Sequence, residues 1–145
     1  MSTLTQAIFD RLSNDGTLTA MLSLYNGRPA IFTQEDIPPA VQYPYIVSAG
    51  EVSNTPWRGK DYFGQMILRD IRCYDASIKG SKLIEDIADR IKALFRPDDE
   101  LVFPPGSQLR TVMQETRGPI MAPTEQTSQG RVVTVHMIVT EDLAV

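Results

Sequence analysis

Apolar residues recur at helical spacing from the start of the chain: Leu4, Ile8 and Leu12 line one face of an amphipathic helix, with Ser2 or Thr3 available as its cap. The run SNDG, residues 13–16, ends it. Beyond Gly16, the positions of Leu18, Met21, Leu22 and Tyr25 predict a second short helical face, followed by YNGRP, where Gly27 is free to take a positive φ. Together they read as a broken helix or helical hairpin. The stretch IPPAVQYP, residues 37–44, holds three prolines and forbids regular structure, delivering the chain in extended form to a strand. Two segments rich in β-branched and aromatic residues come next, Tyr45–Ser53 and Gly64–Asp75, and read as strands.

The clearest helical period lies in SKLIEDIADRIKALFRP, where Leu83, Ile84, Ile87, Ile91, Leu94 and Phe95 share one face for about three turns. Asp75, Ser77 or Ser81 could cap this helix, Glu85 and Asp86 sit early where the helix dipole favours acids, and Pro97 stops it. Its other face, with Lys82, Asp89, Arg90 and Lys92, reads as solvated. Residues 108–116 and 130–142 predict two more strands; in the second, Val133, Val135, Met137 and Val139 alternate with Thr134, His136, Ile138 and Thr140. The thirteen residues between them, RGPIMAPTEQTSQ, are long for a hairpin, which usually needs about 2 to 5.

The order helix, helix, strand, strand, helix, strand, strand predicts an α+β fold. Short connections between strands imply an antiparallel sheet of about four strands, with the helices packed on one face and long β-hairpin loops projecting from it. The other face then needs water or a partner. A length of 145 residues fits a single domain, 1–145, large enough to bury a core.

Composition narrows the chemistry. At 42% apolar and 22% charged residues the chain is an ordinary globular one. A net charge of -4 is opposite in sign to the footprint of most nucleic-acid binders. One cysteine, Cys73, excludes an internal disulfide and a multi-cysteine zinc site, and fits a reducing compartment. The N-terminal residues carry Asp10 and no cationic start before an apolar run, and no window approaches the about 18 apolar residues of a membrane span, so we expect a cytoplasmic product with no membrane partner.

Catalytic chemistry finds no foothold. Any Ser-His-Asp or Cys-His site would have to use His136 and Cys73, the only residues of their types, and both fall within strand patterns, where they read as structural. The acidic runs QED (34–36), EDIAD on the helix, DDE (98–100) and TED near the end do not follow a metal-loop pattern, and neither phosphate-binding glycine motif is present. We expect no enzyme activity and no cofactor or metal.

One segment stands out. NTPWRGKDYFGQ, residues 54–65, joins the two central strands and gathers Trp57, Arg58, Lys60, Tyr62 and Phe63. As a nucleic-acid site it would stack bases on its aromatics and hold phosphate with its cations, but Asp61 offsets one of only two cations. It could also fold back on its own core. Trp, Tyr and Arg are equally the residues enriched at the centres of protein interfaces, and a projecting hairpin carries them to a neighbour.

The helical pair, the proline-rich lead into YPYIVSAGEVSNTPW, the extended segment into MILRDIRCYD, the helix SKLIEDIADRIKALF and two closing strands together resemble the tail-terminator, or tail-completion, family of long-tailed bacteriophages and gene transfer agents. PYIV and IRCYDAS carry most of the likeness, which spans nearly the whole chain. The resemblance implies a homo-hexameric ring on the head-proximal end of the tail tube. Such a ring stops tube growth, offers a surface to the head-tail connector protein and leaves a lumen for DNA to pass, with no sequence-specific nucleic-acid binding and no catalytic residue. It implies a place in the virion tail after assembly in a bacterial cytoplasm. On this basis Trp57, Arg58, Lys60, Tyr62 and Phe63 are candidates for the contact with the adjacent subunit. Arg117, Ile120, Met121, Glu125 and Arg131 are candidates for a loop facing the tube or the lumen. The alternative is a small nucleic-acid-binding α+β module.

Overall fold

The computed structural model describes residues 3–33, 38, 41–58, 62–76, 82–95, 107–120 and 128–142. Helix α1, Thr3–Ser13, turns Ile8 and Leu12 into the core, as their spacing predicts. Asp15 then starts the next turn: its carboxylate accepts the Leu18 N–H at 2.8 Å, capping α2, Gly16–Thr19. The same carboxylate takes two bonds from Arg90 of α3, Lys82–Leu94, at 2.8 and 2.7 Å. Cap and cross-helix tie are thus one side chain.

That pairing sets a pH dependence. The hydrogen bonds from Arg90 hold the Asp15 carboxyl below its ordinary value of 3.8, against the opposing effect of burial. A lowered folded-state pKa stabilises the protein above the unfolded value, and the benefit disappears as pH falls through the folded value. Asp15→Asn keeps a capping side chain and removes the charge, so urea denaturation should show it less stable than the parent at pH 7, with the difference closing below about pH 4. Asp15→Ala should cost about 1 kcal/mol more through loss of the cap.

The second helical face expected through Tyr25 stops short. After α2 the Ser23 N–H is taken by the Pro44 carbonyl at 3.0 Å, and its hydroxyl donates to the carbonyls of Gln42 and Pro44. These bonds pull the chain out of the helix and across the sheet edge. It then forms a ribbon of β1, Leu24–Tyr25, and β2, Arg28–Pro29, around Asn26 and Gly27 at φ 52° and 78°. Two successive positive φ values at Asn-Gly match the twist of the paired strands.

A five-stranded sheet comes next, in the order β3-β4-β5-β7-β6, with β3 Ile31–Phe32, β4 Tyr45–Arg58, β5 Tyr62–Ala76, β6 Ser107–Ile120 and β7 Ser128–Asp142. The four long strands are antiparallel, and β3 adds a short parallel strand against Ile46 and Val47 that the periodicity did not reveal. β5 and β7 pair without a shift from Tyr62↔Asp142 to Ala76↔Ser128. Each register shift elsewhere puts the extra residue in an outer strand. In β4 these lie between Val47 and Gly50 and between Glu51 and Ser53; in β6, between Thr111 and Met113 and between Arg117 and Ile120.

Alternation then sorts the strands into two cores. Ile46, Ile67, Ile71, Cys73, Val133, Val135 and Met137 pack under α1 and α3 with Ile84, Ile87, Ile91 and Phe95. The residues between them point the other way, where Tyr45, Val47 and Tyr74 meet Tyr25, Phe32, Val41 and Tyr43. Tyr43 stacks on Tyr45 with centroids 5.4 Å apart, and Tyr45 contacts Tyr74 at 5.3 Å. The face opposite the helices is therefore covered at this end by the chain's own aromatic cluster, rather than left wholly to water or a partner. Further along that face Thr134 donates to the Asp70 carboxylate at 2.7 Å.

Candidate assembly interface

The segment 54–65 is mostly strand rather than loop. Trp57 and Arg58 end β4, opposite Gly64 and Phe63, while Tyr62 and Phe63 open β5, opposite Asp142 and Glu141 of β7. Strand persists this far because β4 pairs with β5 to its end and β5 is in turn paired along its length by β7. Rows 54–58 of β4, 63–67 of β5, 137–141 of β7 and 107–111 of β6 align without a shift. Lys60 lies outside the described residues.

The outermost row to carry described core residues is Ile67 opposite Met137. Five more residues of β5, 62–66, continue past it, a reach of about 16 Å at strand rise. Four regular strands thus continue in register as a blade past the last described core row, and Thr55 and Pro56 on it are exposed.

The second candidate group maps to the far end. β6 runs to Ile120 and β7 starts at Ser128, so Arg117 and Ile120 are strand residues opposite Val132 and Gly130. The thirteen-residue connection shortens to 121–127, and Met121 and Glu125 lie with it outside the described residues. Arg131 is placed one row inside, opposite Cys73. Its guanidinium donates to the Gly130 carbonyl at 2.9 Å and stands 3.6 Å from Glu85 in the first turn of α3. That engagement fastens α3 to the sheet.

Strand direction puts the two connections at opposite ends: β4 climbs to 59–61, and β6 descends to 121–127. With β5 spanning 15 residues between those levels, the strand ends that lead into them stand about 45–50 Å apart. One surface cannot include both groups. Sequence spacing alone gives no sign of this, because it depends on strand order.

The topology also separates the two residues a Cys-His dyad would need. Cys73 faces the helical core opposite Arg131, whereas His136 stands opposite Leu68, five rows away and on the other face of the sheet. Burial pushes the Cys73 thiol up to about 12, and its sulfur lies 3.6 Å from the Arg131 carbonyl, so it behaves as a core residue rather than a nucleophile. Among the described residues no three His, Cys, Asp or Glu side chains converge as metal ligands do, and no helix is long and apolar enough to cross a membrane.

Scans against protein families and curated proteins give no match. Solved structures do. A chain from the virion of a native gene transfer agent particle superposes with a TM-score of 0.66 at 18% identity, covering 96% of this chain and 95% of that one. The two share a fold. A second solved chain aligns with a TM-score of 0.57 at 18% identity, over 96% of each. Near-complete coverage on both sides means that the likeness extends over the whole fold rather than one part of it.

Proposed function

We propose that this chain is a structural component of a phage-like particle, with no catalytic role, and that it acts as a tail terminator. Six copies close into a ring on the head-proximal end of the tail tube. The ring halts addition of tube subunits, presents its other face to the head-tail connector and leaves a lumen for DNA. The observation that carries this reading is the fold shared end to end with a gene transfer agent virion chain. The opposed tips support it, since a capping ring must offer different surfaces to tube and connector, and head-to-tail contacts around one axis produce such a two-faced ring.

In this reading the 54–65 tip, with Trp57, Arg58, Lys60, Tyr62 and Phe63, meets the adjacent subunit. The 121–127 tip, with Arg117, Ile120, Met121 and Glu125 and with Arg131 one row inside, faces the tube or the lumen. The test is electron microscopy of the purified protein at high concentration, alone and mixed with tail tubes. Rings of six at tube ends are the expected result. A chain that stays monomeric with tubes and is retained by single-stranded DNA in a salt-sensitive way would replace this reading with the nucleic-acid one.

A further inference from the structure

The sheet has two long outer edges. Among the described residues β3 covers β4 only at Ile46 and Val47, and no strand lies on the outer side of β6. Their hydrogen-bonding phase can be read from one bond. Ile46 sends its N–H outward to the Ala30 carbonyl at 2.9 Å, so Tyr45 and Val47 direct theirs toward Tyr74 and Arg72 of β5. Because β5 and β7 pair without a shift, the alternation carries across both strands. Even-numbered residues of β5 face β4, and even-numbered residues of β7 face β6. On the blade this turns the backbones of Asn54, Pro56 and Arg58 to the free side of β4, and those of Ser107, Leu109 and Thr111 to the free side of β6.

Pro56 fits this phase. Its missing N–H falls on the open edge, where no bond within the chain is lost. The β6 bulge begins just below Thr111 and the β4 bulge one row lower, below Ser53, so the five rows 54–58 and 107–111 are regular on both edges.

We propose that copies of this chain join by strand addition, with residues 107–111 of β6 laid antiparallel against residues 54–58 of β4 in the adjoining copy. The proposal rests on the ring reading and supplies its subunit contact. Rotation about an axis along the strands moves a copy sideways at constant height and keeps its strand directions, which brings descending β6 against ascending β4. At equal height Arg58 meets Ser107, Pro56 meets Leu109 and Asn54 meets Thr111, and in each pair both backbones face the gap. Three such pairs offer six bonds, of which Pro56 forfeits one as a donor, leaving five. A single chain thus carries two edges of matching length, level and phase, on opposite flanks, as a head-to-tail contact requires.

Cross-linking tests it. Thr55 and Arg110 share a row and would form a pair not hydrogen-bonded across the joint, with Cα atoms about 4.5 Å apart, within the roughly 4.4 to 6.8 Å a disulfide spans. The double variant Thr55→Cys with Arg110→Cys, oxidised at assembling concentration, should give a ladder of covalent multimers, with each single variant giving none. The buried Cys73 does not compete. Absence of the ladder, or a dimer from Arg110→Cys alone, which reports two-fold pairing of β6 with itself, overturns the proposal. Rings without a ladder overturn edge pairing and leave the ring reading standing; a ladder without rings does the reverse. Should the double variant not fold, hydrogen exchange on the unmodified protein decides. Amides of Asn54, Arg58, Leu109 and Thr111 should slow on assembly, and unchanged exchange refutes the joint.

Discussion

Replacing Phe95 by alanine should lower the unfolding free energy by about 3 to 5 kcal/mol, a large part of the roughly 5 to 15 kcal/mol that holds a typical domain together. Phe95 is 1% exposed and closes the core just past the end of α3, where its N–H still bonds the Lys92 carbonyl at 3.2 Å. It belongs to the cluster that includes Ile87, Ile91 and the inner residues of β5 and β7. Truncation removes an aromatic ring from a site walled by helix and sheet, and the rigid strands behind it cannot collapse to fill the space. For a domain of this size the melting temperature should drop by roughly 10 °C or more. Leu24→Ala is the matched control: Leu24 is apolar but 65% exposed, so its truncation should change stability by less than about 0.5 kcal/mol. Urea denaturation followed by circular dichroism measures both. A Phe95→Ala loss below about 1 kcal/mol would mean that α3 is not seated on the sheet as described.

The second large effect concerns assembly rather than folding. Trp57→Ala should abolish rings at concentrations where the parent forms them, while leaving the thermal unfolding of the monomer almost unchanged. Trp57 stands in the blade, three rows beyond the last described core row, opposite a glycine. A tryptophan at the centre of an interface commonly contributes about 2 kcal/mol or more, or about 30-fold in affinity. A closed ring repeats the contact at every joint, so the loss compounds. Sedimentation velocity and negative-stain microscopy report assembly, and circular dichroism reports the fold. Rings that persist in the variant would remove Trp57 from the subunit contact. Destabilisation of the monomer by several kcal/mol would instead assign this residue to its own core.

The two experiments divide the molecule along a line visible in its sheet. Below Ile67 and Met137 the strands carry a helical core on one face, and an aromatic cluster covers the Tyr45 and Tyr74 end of the other. Above that row the four strands continue without described core residues, in regular register, with no strand among the described residues on either flank. Strands of that kind invite uncontrolled association, and the bulges below this blade and Pro56 within it are devices that natural edge strands use to limit it.

Much of the architecture is legible in the residues. The face of α3 comes from a 3.6-residue period in Ile84, Ile87 and Ile91, all buried, and the β7 alternation sends Val133, Val135 and Met137 inward as expected. These readings succeed because each depends on local geometry repeated over many residues. The Asn-Gly turn is similarly local.

Elsewhere the sequence stops short for an identifiable reason. Nothing local distinguishes a loop rich in Trp, Tyr and Arg from the end of a hairpin; 54–58 became strand because β5 pairs with it row by row to Phe63 and is itself held by β7. Met21, Leu22 and Tyr25 have helical spacing, but the carbonyls of Gln42 and Pro44, about twenty residues away, capture Ser23 and redirect the chain. The distance between the two tips, the opposed faces of Cys73 and His136 and the common level of the two free edges all arise from strand order and register. Local period determined which residues would be inside. Long-range pairing decided which ends would be free, because hydrogen bonds between strands depend on neighbours that no stretch of sequence contains.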